Sequence, residues 1–298
     1  MRHSTVEPRR PRSRVASTGR VAGWGGGSPG EDGHRPVRGP AMYQSHRGDV
    51  APKEQRVLCI AAHPDDEVLG VGGTLARHAA EGAEVLVLIM SEGEAAKAPH
   101  SRRNAARRDN AAAAARVLGV HRLVMGELAD QAFDAHPFIE LIHPIEALLR
   151  EFRPHIVYTH HGGDANTDHQ LVFKATYAAC RPLSTLSASV EQLLCYEVPS
   201  STEQAPALPH YAFLPNVYVD VSAVWATKLA ALRCYAAELG TWPHTRSIEY
   251  IDALAVKRGG EAGLRRAEAF TLIRARVGPS PPAAPDAPPG SADPTLRS

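Results

Sequence analysis

Short apolar runs separated by longer mixed stretches mark the chain from Arg56 onward, and these runs predict β-strands. Arg56–Ala62 (RVLCIAA) and Ala83–Met90 (AEVLVLIM) are almost continuously apolar, which is typical of strands buried on both faces of a sheet. Shorter segments of similar composition predict four more strands, at His121–Met125, His155–Thr159, Gln192–Glu197 and Val217–Val221. A central sheet covered on both sides is therefore expected.

The stretches between the apolar runs predict helices, at Val68–Ala80, Arg102–Leu118 and Leu171–Ala179. Apolar residues also recur at helical spacing from Phe138 to Phe152, where Pro144 predicts a kink or a new helix start. Two or three further helices are expected up to Val277. Strands that alternate with helices predict an α/β fold, with a Rossmann-like, mostly parallel sheet and helices on both faces.

Composition divides the chain into three parts. Residues 1–54 are rich in Arg, Gly, Pro and Ser, which predicts a disordered N-terminal extension. Either Met1 or Met42 then serves as the translation start. Residues 55–278 carry the alternating strands and helices and form the predicted folded domain. Residues 279–298 are rich in Pro and Ala, which predicts a disordered tail.

Charge and cysteine content narrow the class of protein. The formal net charge is only +1 over 298 residues, which argues against a nucleic-acid partner. No uncharged apolar run is long enough for a membrane span. The four cysteines are scattered and form no CxxC pair, as expected for reduced thiols in a cytoplasmic protein.

Two polar loops directly follow predicted strands. The first loop reads His-Pro-Asp-Asp-Glu at 63–67, and the second, at residues 160–169, holds three histidines and two aspartates. Acidic residues at a helix start often serve only as caps. However, two histidines and an aspartate form a usual ligand set for catalytic zinc, and the remaining carboxylate can act as general base. Since loops after parallel strands share one edge of the sheet, a metal site is predicted there.

These motifs resemble the PIG-L/LmbE family of zinc-dependent N-acetylglucosamine deacetylases. The resemblance rests on AHPDDE at 62–67 and DANTDH at 164–169, and it extends from about Val57 to about Phe270. Further similar stretches are Arg107–Val120, Glu197–Thr202 and Pro243–Gly260. The resemblance implies a hydrolase that removes an N-acetyl group from an amino sugar, with Zn²⁺ as its cofactor.

Matching positions assign roles to residues of this chain. The resemblance implies zinc ligands at His63, Asp66 and His169, and it implies the general base at Asp65. It also implies that Arg107 and Asp130 contact the sugar. By residue type alone, Asp168 fits an alternative role as the cap of the helix that begins near it.

The chain departs from the family pattern at two positions, Asn166 and Asn110, where many members have His and Glu. The missing histidine leaves open which residue stabilises the oxyanion. His161 and His244 are the candidates, with His160 behind them, and His244 can act across the interface of a homo-oligomer. Asn166 is counted with the substrate-binding residues.

Three alternatives stay open. A zinc amidase of the same design can act on another N-acyl group, on a glycopeptide sugar or a mycothiol-type conjugate. A protein of this fold can also bind sugar without catalysis. The glycines of Gly70–Gly73 allow a nucleotide- or SAM-binding Rossmann protein, but they lie inside a predicted helix rather than directly after the strand. At that place they favour close packing of the helix on the sheet.

Overall fold

The computed structural model describes residues 55–95 and 102–278, in which six α-helices flank one seven-stranded sheet. The strands are β1 (Arg56–Ala61), β2 (Glu84–Ala95), β3 (Arg122–Asp130), β4 (Ile156–His160), β5 (Gln192–Tyr196), β6 (Val217–Asp220) and β7 (Ala267–Ala275). The helices are α1 (Asp66–Ala80), α2 (Arg102–Leu118), α3 (Phe138–Phe152), α4 (Thr167–Ala179), α5 (Trp225–Cys234) and α6 (Ile248–Glu261). The predictions for residues 1–54 and 279–298 lie outside the described residues.

The strand order is β3-β2-β1-β4-β5-β7-β6. The first five strands run parallel, and β7 is antiparallel to both of its neighbours. The predicted Rossmann-like, mostly parallel sheet is thus confirmed. The chain leaves β1 toward β2 and leaves β4 toward β5, so the two adjacent strands send their connections in opposite directions. Such a switch point opens a crevice at the carboxyl ends of the strands, where ligands bind.

Strand β1 shows why its sequence is apolar from Val57 to Ala61. Val57 and Cys59 belong to a core cluster with α1, α2, α5 and α6, whereas Leu58 and Ile60 belong to a second cluster with α3 and α4. All four residues are fully buried. Because successive side chains of a strand point to opposite faces, only an uninterrupted apolar run fills both clusters.

Two of the predicted elements differ from the structure. The helices expected up to Val277 are wrong for the last stretch, where Ala267–Ala275 forms strand β7 between β5 and β6. Its buried half includes Phe270, whose ring lies 5.0 Å from that of Tyr158. A short apolar segment of this kind fits a strand or a buried helix equally well by periodicity. Pro144 starts no new helix and lies inside the single helix α3.

The glycines of α1 allow the helix to approach the sheet closely. A Cβ atom on Gly70 would overlap the ring of Tyr196 in β5, and one on Gly73 would lie 2.8 Å from the Val221 side chain. Both glycines lie in the middle of the helix rather than in the loop after β1. Their position fits helix packing and does not fit a phosphate-binding loop, which opens directly from the strand.

A buried ion pair inserts into the hydrogen bonds of α1 next to these glycines. The Glu268 carboxylate of β7 accepts hydrogen bonds from the backbone N–H groups of Gly73 and Thr74, at 2.8 and 2.7 Å. Lys228 Nζ of α5 donates to Glu268 at 2.5 Å and to the carbonyl of Leu69 at 2.9 Å. Both charged side chains are almost fully buried. The pair thereby ties α1, whose first turn carries the acidic motif, to α5 and β7.

Replacing Glu268 by Ala is expected to destabilise the protein by about 3–5 kcal/mol, because it leaves the Lys228 ammonium buried without its counter-charge. Denaturation by guanidinium chloride measures the change in the free energy of unfolding. The matched control is the double variant Glu268→Leu/Lys228→Met, which buries no charge and is expected to recover most of the loss. A loss below about 1 kcal/mol in Glu268→Ala would contradict the assigned role.

Candidate active site

The loops after β1 and β4 bring three ligand-type side chains together at the switch point. Asp66 Oδ2 lies 3.3 Å from Nδ1 of His63 and 3.2 Å from Nε2 of His169. The three ligand atoms all lie within 4.8 Å of one another, and all three residues are buried. His169 occupies the first turn of α4, as predicted. The group can therefore hold a metal ion.

The environment of Asp66 fits a cation. Its Oδ1 atom is buried and makes no hydrogen bond within the described part of the chain. A buried carboxylate oxygen without a hydrogen-bond partner is costly and calls for an explanation. Two imidazole nitrogens and a carboxylate form the donor set of open catalytic metal sites, which leave a position for water or substrate. The residues present thus fit a divalent ion.

The electrostatics of the site also favour a cation. Burial lowers the pKa of His63, but the Asp168 and Asp66 carboxylates outweigh burial and raise it to about 10. Burial likewise opposes charge on His169, but Asp66 and Asp164 raise its pKa to about 9. The carboxylates therefore attract positive charge to the rings. A metal ion replaces the proton on each ligating nitrogen, so its binding releases protons.

Two further aspartates contact the second ring nitrogen of His63 and of His169. Nε2 of His63 donates to Asp168 Oδ2 at 2.9 Å, and Nδ1 of His169 lies 3.2 Å from Asp164 Oδ1. Asp168 is itself fixed by the backbone N–H of Gln131, at 2.7 Å. Carboxylates placed behind metal-ligating histidines set the tautomer and the orientation of the ring. These roles of Asp164 and Asp168 were not predicted from the sequence.

Asn166, rather than Asp168, caps α4. The Asn166 side chain accepts a hydrogen bond from the backbone N–H of Asp168 at 2.8 Å. The suggestion that Asp168 caps the helix is therefore wrong, because its carboxylate faces His63 instead. The Asn166 oxygen is engaged in this cap, and its substrate-binding role stays a prediction.

Asp164 is held by neighbours of its own. It accepts hydrogen bonds from the hydroxyl groups of Ser201 and Thr202, the latter at 2.6 Å. Burial raises the pKa of Asp164, but the hydrogen bonds from His169 and these hydroxyls outweigh burial and lower it to about 2. The Asp164 carboxylate is therefore charged, and the loop after β5 supports the histidine through it.

Replacing Asp164 by Asn is expected to weaken metal binding by about 10–100-fold, because such supporting carboxylates raise the basicity of the ligand. Competition with a chelator of known affinity measures the change. The matched control is Asp134→Asn, which removes the same charge from an exposed residue and is expected to leave metal affinity unchanged. Equal affinities in the two variants would show that Asp164 has no supporting role.

Asp65 differs from Asp66 in both backbone and environment. Its φ of 116° lies in the left-handed region, a strained conformation for a residue other than glycine that is often found at functional sites. Asp65 lies at the N-cap position of α1, yet its side chain makes no capping hydrogen bond. The backbone N–H of Asp65 instead donates to Glu67 Oε2 at 3.0 Å. The Asp65 carboxylate therefore takes no part in capping its own helix.

The two oxygens of Asp65 are unequal. Oδ2 accepts a hydrogen bond from Arg246 Nη1 at 2.7 Å, whereas Oδ1 is buried without a partner within the described residues. Burial raises the pKa of Asp65, Arg246 opposes this rise, and the resulting pKa is about 7. A carboxyl group with a pKa near neutrality can both accept and return a proton, as a general base must.

The predicted sugar-binding residues lie next to the group formed by His63, Asp66 and His169. Arg107 Nη1 is 3.2 Å from Asp130 Oδ2, and Asp130 Oδ1 is 3.1 Å from Nε2 of His63. Arg107 also reaches Glu238, 3.3 Å away, in the segment between α5 and α6. A single ionic network therefore connects His63 with Arg107, and the sugar-binding role of Arg107 and Asp130 stays a prediction.

The three histidines considered for the oxyanion have different surroundings. His161 Nε2 donates to the carbonyl of Tyr211 at 3.0 Å, and Nδ1 of the exposed His244 accepts the backbone N–H of Arg246 at 2.9 Å. His160 is fully buried, accepts the backbone N–H of Ala62 at 2.8 Å, and stacks on His169.

Burial holds the pKa of His160 well below its usual range, so this ring is neutral and carries a hydrogen bond of the loop. Its other ring nitrogen, Nδ1, is buried and makes no hydrogen bond within the described residues. The roles of all three histidines in stabilising the oxyanion stay predictions.

Arg246 is a further site residue that was not singled out from the sequence. It lies within the similar stretch Pro243–Gly260, but it contacts a carboxylate 181 positions away. No local pattern marks such a contact.

Among the helices described, none combines the length and apolar composition needed to cross a membrane.

Comparison with known proteins places this site in a family. The model of the PIG-L family, described as GlcNAc-PI de-N-acetylase, matches residues 58–180, which include both polar loops. The solved N,N'-diacetylchitobiose deacetylase of Pyrococcus horikoshii shares the fold, with a TM-score of 0.59, 23% identity, and coverage of 74% of this chain and 84% of that one.

Three curated relatives extend the match. The 4-oxalmesaconate hydratase of Pseudomonas putida is 27% identical, covering 70% of this chain and 81% of that protein. The 1D-myo-inositol 2-acetamido-2-deoxy-alpha-D-glucopyranoside deacetylase of Thermobifida fusca is 27% identical, covering 78% and 96%. The uncharacterized deacetylase YaiS of Escherichia coli K12 is 32% identical over 190 residues, 61% of this chain and 91% of that protein. With this match across nearly the whole of a relative, the chain belongs to the PIG-L family and is an enzyme of the deacetylase type.

Proposed function

We propose that the protein removes the N-acetyl group from an N-acetylglucosamine-containing sugar or glycoconjugate, with Zn²⁺ as its cofactor. The observation that carries the proposal is the pairing of two carboxylates of one loop. Asp66 lies in contact with two histidines, while the adjacent Asp65 has one buried oxygen that no other described residue contacts by a hydrogen bond. Metal-assisted amide hydrolysis needs one group that binds the metal ion and one that accepts a proton, and two adjacent carboxylates can divide these functions.

His63, Asp66 and His169 would hold the ion. A bound divalent ion supplies Lewis acidity, which lowers the pKa of water and polarises a carbonyl group. Oδ1 of Asp65 accepts the proton of the water that attacks the acetamide carbon. The same carboxyl group returns a proton to the sugar nitrogen as the C–N bond breaks, so the products are acetate and the free amine.

The histidines available to the oxyanion have one usable nitrogen each. Since Nε2 of His161 donates to Tyr211, His161 would act through Nδ1. Since Nδ1 of His244 accepts the backbone N–H of Arg246, His244 would act through Nε2. Loss of one such donor typically costs about 10²–10³-fold in rate. Arg107, Asp130 and Asn166 are proposed to contact the sugar.

Two relatives favour the N-acetylglucosamine class as substrate. The Thermobifida fusca and Pyrococcus horikoshii deacetylases are named for an N-acetylglucosamine-inositol and for N,N'-diacetylchitobiose. The metal ligands do not discriminate between acyl chains of different length, so an amidase for a longer N-acyl group is the second candidate. The hydratase relative adds a third, in which the same basic carboxylate assists addition of water to a C=C bond.

The test is a panel assay with the zinc-loaded protein. The N-acetylglucosamine-inositol, N,N'-diacetylchitobiose and N-acyl glucosamines of increasing chain length are incubated separately, and released acid and free amine are both quantified. Controls are the chelator-treated protein and its reconstitution with Zn²⁺, Co²⁺ or Mn²⁺. Equal amounts of acetate and amine, lost on chelation and restored best by Zn²⁺, would support the proposal. Release of longer acids alone would move the substrate to another N-acyl group. Hydration of an unsaturated polycarboxylate, without amine release from any sugar, would overturn the proposal.

A further inference from the structure

Arg246 joins two loops of the site from a third segment. It lies between α5 and α6, one residue before Ser247, which caps α6. Its guanidinium donates through Nη1 to Asp65 Oδ2 at 2.7 Å and through Nε to Ser200 Oγ at 2.6 Å. Arg246 therefore connects the loop after β1 with the loop after β5.

The contact with Arg246 makes the two oxygens of Asp65 distinguishable. A carboxylate is symmetric, and free rotation about its last bond would exchange its oxygens. Here Oδ2 is held by a charge-assisted hydrogen bond, and Oδ1 is the oxygen left without a partner in the described residues. Bonds of this kind are about twice as strong as neutral ones and fix geometry as well as energy. The orientation of the proposed base thus depends on an arginine far away in the sequence.

The guanidinium itself is held at several points. Ser200, its second partner, has a left-handed φ of 78°, and its backbone N–H donates to Glu203 Oε1 at 2.8 Å. Glu238 Oε2 lies 3.9 Å from Nη1 of Arg246, and the other Glu238 oxygen lies 3.3 Å from Arg107. Arg246 is thereby fixed from both sides, which is what a residue that orients another group requires.

We propose that Arg246 is the positioning residue of Asp65: it holds Oδ2 so that Oδ1 alone faces the reacting water. This inference rests on the proposed function, in which Asp65 is the general base. Arg246 acts through Asp65 and binds neither the metal ion nor the acetamide. Its loss therefore lowers kcat more than it raises KM, and the effect disappears when Asp65 is already gone.

The experiment is a double-mutant cycle on the zinc-loaded protein with the best substrate of the panel. Arg246→Gln is expected to lower kcat by about 10–100-fold, as small misplacements of catalytic groups do, with KM changed less than about threefold. Arg246→Lys, which keeps the charge, is expected to restore part of the rate. Asp65→Asn/Arg246→Gln is expected to be no slower than Asp65→Asn alone. If the losses of kcat multiply, so that the double variant is slower than Asp65→Asn by the full factor seen for Arg246→Gln alone, the proposal is overturned.

The matched control is Arg266→Gln. Arg266 is 22% exposed and pairs with Asp252 at 2.7 Å, whereas Arg246 is 23% exposed and pairs with Asp65 at the same distance. Arg266 has no contact with the site residues within the described part of the chain, so kcat is expected to be unchanged. A similar loss of kcat in both variants would show a general effect on the fold and would overturn the proposal.

Crystal structures of the zinc-loaded wild type and Arg246→Gln protein provide a readout that needs no substrate. The Asp65 carboxylate is expected to have one orientation in the wild type, and to be turned or to occupy two conformers in the variant. An unchanged single orientation in the variant would overturn the positioning role, whatever the reaction proves to be. A changed orientation in a protein that releases no acetate would retain the positioning role and reject the proposed function.

Discussion

The His169→Ala variant is expected to lose both its metal ion and its deacetylase activity. His169 supplies one of three converging ligand atoms, and its Nε2 lies 3.2 Å from Asp66 Oδ2. Even residues placed behind the ligands cost about 10–100-fold in metal affinity or activity when they are lost, so removal of a ligand is expected to exceed this range. Metal content after dialysis and acetate release measure the two effects.

A matched histidine variant controls for this prediction. His210 is exposed in the loop after β5, and His210→Ala is expected to keep both metal and activity. Thermal unfolding of the metal-free proteins shows whether His169→Ala still folds. If His169→Ala retains one equivalent of tightly bound metal, the proposed ligand set is wrong, and the neighbouring group of His63, Asp130 and Asp168 becomes the site to examine.

The sequence could predict where the group of potential metal ligands lies, because adjacent parallel strands place their loops together. The position of His63 after one buried strand and of His169 after another was enough, together with the rule that such loops share an edge. The two strands, β1 and β4, are neighbours in the structure. The prediction needed no side-chain geometry, only the order and direction of the strands.

The contacts that tune the site could not be predicted in this way. Arg246 and Asp65 are 181 residues apart, and Asp168 and His63 are 105 apart. Each contact depends on how loops from different strands fold over one another, and no periodicity records that. Asp168 illustrates the ambiguity: the residue type fits a helix cap, but in the structure the neighbouring Asn166 takes the cap.

The acidic pair Asp65-Asp66 also shows how two like residues in sequence acquire different roles. The left-handed backbone at Asp65 turns the chain sharply between them. Burial raises the pKa of both, but the charge of His169 and the hydrogen bonds from His169 and His63 lower that of Asp66 well below its usual range, whereas Arg246 only partly offsets the rise for Asp65. Groups whose environments separate their pKa values in this way are suited to different chemical roles.

The Asp65→Asn variant is therefore expected to keep its metal ion and lose catalysis. Asn has the same shape as Asp and tolerates left-handed backbone conformations, so the loop is expected to fold unchanged. Without a basic oxygen, kcat is expected to fall by about 10²–10⁴-fold, the usual contribution of general acid–base catalysis, while KM changes little. The measurements are steady-state kinetics and metal content on the same preparation.

Asp66→Asn is the natural companion to this variant, because it makes the same chemical change one residue further along. It removes the charge from the carboxylate that contacts His63 and His169, and we expect it to lose metal affinity first and activity as a consequence. Excess Zn²⁺ is then expected to recover part of the activity in Asp66→Asn and none in Asp65→Asn. Recovery of Asp65→Asn by added metal, or a kcat within about tenfold of the wild type, would remove Asp65 from the role of general base and transfer that role to a histidine of the site.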